Sequence, residues 1–197
     1  IMSLLEIVLI VAGISLDIFA ALEIEGAMLA KINRKTLFYV TGLVVLMQQI
    51  FFFFGYLVSN TIVHTQTWHL KSDRWGAWTA VIIFAFLGLR LLIKAVRREL
   101  VHESRREIRV QQYAKIIAVA SIYTILAGLA CGFLGIHTLT VFVVILISSV
   151  LAAVLGIFVG YRFGYEGKTL VYAAGGILLW IAGLEILLRS ILHLIHF

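Results

Sequence analysis

The sequence predicts an all-α integral membrane protein: six transmembrane helices arranged as two inverted three-helix repeats. Three observations predict it. Hydrophobic residues make up 62% of the chain and charged residues 13%, with a mean hydropathy of +1.08. Soluble domains carry about 45–50% and 25%. Six apolar runs are each long enough to cross a hydrocarbon core of about 30 Å as a helix. Basic residues then alternate between connections. The first, third and fifth hold Lys31, Arg34 and Lys35; Arg97, Arg98, Arg105, Arg106, Arg109 and Lys115; and Arg162 and Lys168. The second and fourth hold only Lys71 and Arg74. This asymmetry puts the odd connections in the cytoplasm and both termini outside. The expected organisation is one transmembrane domain, 1–197: a first repeat over 1–97, a linker over 98–113 and a second repeat over 114–197.

Helix one is expected over Met2–Ile24. It lacks a basic leader and a small-residue cleavage site, so it reads as a span and not as a signal peptide. Asp17 sits inside its apolar run Leu4–Leu22. A carboxylate there costs roughly 2.5–3.5 kcal/mol on insertion scales, and such residues mark functional sites. Glu6, three turns earlier, falls on nearly the same face. It either guides cations from outside, relays protons or marks a wet helix end. Glu23 and Glu25 are an entry vestibule or interfacial charge.

Helix two, Thr36–Val58, carries Gln48 and Gln49, followed by Phe51–Phe54, expected toward lipid. Helix three, Trp75–Val96, carries Arg90 and Lys94. Counting about 1.5 Å per residue from the helix centres puts Arg90 level with Asp17, within reach of it. Lys94 lies nearer the helix end, where snorkelling is expected. The third connection mixes Arg with Glu99, Glu103 and Glu107, a solvated helical extension or a partner-binding linker.

Helix four, Ala114–Leu134, carries Ser121, Tyr123 and Thr124, and a small-residue stripe Thr124, Gly128, Gly132. Helix five, Leu139–Tyr161, leads into Gly156, Gly160 and Gly164. Both stripes predict close helix packing, within one chain or across a homodimer. Helix six, Thr169–Leu192, carries Glu185 and Arg189. Proline is absent, so any bend relies on Gly or inserted polar groups.

The halves echo each other. Gly88-Leu-Arg90-Leu-Leu-Ile-Lys94 matches Gly183-Leu-Glu185-Ile-Leu-Leu-Arg189, and Ser15-Leu-Asp17 matches Ser121-Ile-Tyr123. Three-helix repeats have opposite orientations, the inverted-topology pattern of many secondary transporters. The chain has one cysteine, Cys131, so no intrachain disulfide forms. His64, His69, His193 and His196 have no zinc spacing. No P-loop, dinucleotide motif or nucleophile–base set is present. The expectations are no catalysis, no cofactor and no nucleic acid, with the basic residues serving orientation and lipid contact.

Ala-Gly-Ile-Ser-Leu-Asp17-Ile-Phe-Ala-Ala, Glu25-Gly26-Ala27 and Gly175-Gly176-Ile-Leu-Leu-Trp-Ile-Ala-Gly183-Leu-Glu-Ile-Leu resemble the MntP-type manganese efflux pumps. Thr41-Gly42-Leu and Phe86-Leu-Gly88-Leu-Arg90 fit as well. The resemblance covers nearly the whole chain. It implies six helices in two repeats and ion-driven export of divalent cations across a bacterial inner membrane. The chain departs from the pattern at three positions. Tyr123 stands where the family usually has a second Asp, Gln48 at its acidic helix-two position, and Lys94 where an acidic residue is common.

Mn²⁺ favours hard oxygen ligands. Asp17 supplies a carboxylate, and Gln48, Gln49, Ser121, Tyr123 and Thr124 are candidate neutral donors. Glu185 is a candidate second acid. Arg90 and Glu6 are the expected charge-pair or gating residues. If Arg90 reaches Asp17, a cation must displace it or bind elsewhere. The expected partners are the lipid bilayer and the transported cation, with a homodimer open. Two other functions fit the sequence: a related exporter of an organic cation or amino acid, or a non-transporting scaffold or partner subunit.

Overall fold

The computed structural model describes residues 4–29, 34–65, 72–97, 110–135, 138–164 and 166–195. They form six helices: α1 Leu4–Ala27, α2 Arg34–Thr65, α3 Ser72–Val96, α4 Val110–Phe133, α5 Thr138–Phe163 and α6 Lys168–Ile195. There is no strand among the described residues. Most of the expected third connection, 98–109, lies outside them. The helices extend past the apolar runs because polar ends continue the turn. The 32 residues of α2 rise about 48 Å at 1.5 Å each, more than a hydrocarbon core.

Five helices contain stretches apolar and long enough to cross a membrane: Ile7–Ala27, Leu37–Val63, Gly76–Val96, Leu139–Phe163 and Lys168–Ile191. Among the described residues, the apolar stretch of α4 is Ser121–Phe133. Large apolar side chains lie exposed on several helices, among them Phe38, Phe54, Phe86, Leu151, Phe158 and Leu184. An apolar surface on this scale suits lipid, not water. The chain is a multi-pass membrane protein.

The buried core threads between the helices through Ile10, Val11, Phe52, Phe84, Leu91 and Leu179. The Phe51–Phe54 run divides: Phe53 and Phe54 face outward, while Phe52 is buried. A helix turns 100° per residue, so four consecutive residues cannot share one face.

α1 packs on α5 and α6, α2 on α4 and α5, and α3 on α6 and α4. Glycines permit the closest of these approaches. A Cβ at Gly26 would meet the Ile157 carbonyl, and one at Gly156 the Phe19 carbonyl. A Cβ at Gly160 would meet the Glu23 backbone, one at Gly128 the Phe52 backbone, and one at Gly132 the Ser59 side chain. All these contacts lie within one chain. Gly164 differs from the packing role expected of it. It ends α5 at φ 79°, with open space where a Cβ would stand and its N–H bonded to the Gly160 carbonyl at 2.9 Å. The left-handed conformation stops the helix there.

Candidate substrate site at Asp17

Asp17 is placed by the inward face of α1 and is 5% exposed. Arg90 Nη1 donates to its Oδ2 at 2.7 Å, and Lys94 Nζ donates to its Oδ1 at 2.8 Å. Arg90 and Lys94 lie one turn apart on α3, so both project to the same neighbour. The expected Asp17–Arg90 reach is thus present. The snorkelling expected of Lys94 is overturned: its side chain turns inward to the carboxylate, and 28% of it stays exposed.

Two tyrosines complete the cluster. The Arg90 guanidinium lies 3.1 Å from the Tyr123 ring centroid of α4. The Lys94 ammonium lies 5.0 Å from the Tyr172 ring centroid of α6. Cation–π attraction of this kind strengthens as water is excluded. Tyr123 therefore stands under Arg90. Tyr172 was not among the expected site residues, and only its place on α6 brings it in.

The other expected donors gather elsewhere. Gln48 is hydrogen-bonded by Ser149 of α5, and Gln49 Nε2 donates to the Phe142 carbonyl at 3.2 Å. The glutamine pair therefore ties α2 to α5. Ser121 and Thr124 are buried on α4, and their hydroxyls have no partner among the described residues. Glu185 is partly exposed on α6, apart from the ion-pair partners of Asp17, which are Arg90 and Lys94. Glu6 lies on the first turns of α1, with its side chain outside the described residues. Glu23 is a second buried acid, 1% exposed, whose carboxylate accepts the Gly167 N–H near Lys168, while Oε2 has no partner.

The cluster therefore holds one carboxylate and two cations. No group of three or more His, Cys, Asp or Glu converges among the described residues. A bare dication about 5 Å from each charge is attracted once and repelled twice. At an effective dielectric near 20 the imbalance is roughly 7 kcal/mol. Such an ion cannot settle here with all three side chains in place.

A family model described as "Putative manganese efflux pump" matches residues 31–187. The chain belongs to the MntP family. Relatives named "Putative manganese efflux pump MntP" include one from Clostridium perfringens strain 13, 25% identical over 212 residues, covering 95% of both chains. Another, from Desulfitobacterium hafniense strain Y51, is 28% identical over 197 residues, covering 97% of both. A third, from Bacteroides fragilis, is 25% identical over 193 residues, covering 95% of this chain and 96% of its own. No solved structure matches the chain. Membership in the MntP family makes this a transporter fold and not an enzyme.

Proposed function

We propose that this MntP-family protein is a secondary transporter exporting a divalent metal cation, Mn²⁺, from the cytoplasm. It works by alternating access between two inverted three-helix repeats, in exchange for protons or another ion, across the inner membrane. The observation that carries the reading is the composition of the Asp17 cluster. Asp17, Arg90 and Lys94 come from the first half of the chain, and Tyr123 and Tyr172 from the second. Transporters built from inverted repeats place their substrate at such a junction.

The packing supports the repeats. With Asp17 laid on Tyr123, Gly26 falls on Gly132 and Phe19 on Ile125. With Gly55 laid on Gly156, Tyr56 falls on Ile157. The contacts follow the same mapping. Gly26 meets the Ile157 carbonyl and Gly132 the Tyr56 carbonyl, while Gly55 meets the Ile125 carbonyl and Gly156 the Phe19 carbonyl. Two bonds join positions that map onto each other: Ser149 with Gln48, and Trp180 Nε1 with the Ala85 carbonyl at 3.2 Å. A pseudo-two-fold axis through the α2–α5 and α3–α6 contacts accounts for both.

At rest Arg90 and Lys94 occupy the two oxygens of Asp17 while lying against the Tyr123 and Tyr172 rings, and the incoming metal displaces them from the carboxylate. The test is metal content of cells with and without the protein, across several divalent metals. Lower Mn²⁺ on expression, lost with Asp17→Asn, is the expected result. A non-transporting partner subunit is the second reading, favoured because both oxygens of Asp17 are already paired. It predicts no change in any metal.

A further inference from the structure

The geometry points to a carboxylate-binding site on Arg90 and Lys94, so that a divalent cation enters this junction with a carboxylate counter-ligand and not alone. The second half of this inference rests on the transport reading above. The anion site itself does not.

Three observations carry it. The first is the charge balance: one acid faces two bases, and both bases are held inward. The other fully buried acid among the described residues, Glu23, is tied to Gly167 near Lys168 and does not offset them. A dication alone raises the excess, whereas a dication bound to a dicarboxylate leaves it unchanged.

The second is donor capacity. A guanidinium has five N–H donors and an ammonium three. Each cation directs one hydrogen bond to Asp17. Tyr123 covers the face of the Arg90 guanidinium and not its edge, where a carboxylate binds in bidentate fashion. The third is access. The Arg90 and Lys94 side chains are 15% and 28% exposed, while that of Asp17 is 6% exposed. More of each cation than of the acid is thus left uncovered by the protein. In this arrangement Asp17 is an internal occupant, a tethered carboxylate that an external one replaces as the metal takes Asp17.

Malonate is the probe, titrated calorimetrically into the purified full-length protein in metal-free buffer, with sodium chloride at equal ionic strength as the control. The parent binds malonate in preference to chloride. Arg90→Gln and Lys94→Gln each weaken binding about tenfold or more, and Asp17→Asn tightens it about tenfold by removing the competitor. A misfolded variant does not gain affinity, so the Asp17→Asn result separates binding from folding. No malonate-specific heat with either the parent or Asp17→Asn overturns the site. Proteoliposomes then test the coupling, with Mn²⁺ efflux faster when malonate replaces chloride inside. Equal Mn²⁺ efflux in both media overturns the co-transport inference and leaves metal export standing. Malonate binding without Mn²⁺ efflux in either medium keeps the anion site and removes metal export.

Discussion

At the scale of residues, the chemistry turns on how Asp17 is compensated. Removing both Arg90 and Lys94 leaves a buried carboxylate without a partner, a situation that costs about 3–5 kcal/mol when ion pairs are broken from one side. We expect Arg90→Ala with Lys94→Ala to lower the melting temperature in detergent sharply. Adding Asp17→Asn should restore most of the loss, because removing both sides of a pair is close to neutral. A triple variant no more stable than the double one would show that the cations are held for another reason. Asp17→Asn alone should insert and fold yet give no protection from toxic Mn²⁺. Growth in a Mn²⁺ series, with protein level checked, measures this, and protection equal to the parent's removes Asp17 from the site. Sequence counting found Asp17 and Arg90 because a residue's height in a helix is legible from its distance to the helix centre. Lys94 was misread by the same count. Its spacing of four from Arg90, which fixes the shared face, was the better guide. Tyr172 left no signal, since nothing in an apolar helix tells which neighbour a lone tyrosine meets.

At the scale of elements, small residues decide how close the helices come. Gly55 and Gly42 lie on the same helix, α2, and make a controlled pair. A Cβ at Gly55 would run into the Ile125 carbonyl, while one at Gly42 meets nothing. Gly55→Ala should therefore destabilise the protein by about 1–3 kcal/mol through overpacking. Gly42→Ala should be neutral or stabilising by up to about 1 kcal/mol, from helix propensity. Thermal unfolding of both variants in the same detergent is the check, and equal losses would mean that the α2–α4 contact is looser than it looks. The stripes of Gly128 with Gly132 and Gly156 with Gly160 were visible in sequence because small residues at spacings of four make a flat face. Their partners were not visible, because spacing names a face and not the helix opposite. Gly164 continued the pattern on paper but fell one step beyond the last turn, where φ 79° favours glycine for a different reason.

At the scale of the whole molecule, six helices follow from hydropathy runs, while the proposed inverted-repeat symmetry shows in the sequence only in fragments. The matches Ser15-Leu-Asp17 with Ser121-Ile-Tyr123, and Gly88-Leu-Arg90 with Gly183-Leu-Glu185, are short. The charged positions do not echo, since Asp17 falls on Tyr123 and Arg90 on Glu185. The proposed correspondence rests more on backbone contacts than on side chains, because Gly26 with Ile157 and Gly132 with Tyr56 need only the absence of a Cβ. Inverted repeats require an odd number of spans per half, and hence an odd connection between them that lies on the side opposite both termini. By the positive-inside rule, the basic residues Arg97, Arg98, Arg105, Arg106, Arg109 and Lys115 predict that this connection is cytoplasmic. Cys131 is buried, so Cys131→Ala gives a background for labelling. Ser104→Cys on that background should resist an impermeant maleimide in intact cells and react once the membrane is opened. Labelling in intact cells would place the connection outside and invert the molecule. The direction of transport would still follow the driving ion gradient, so labelling reports the orientation and the Mn²⁺ content of cells reports the direction.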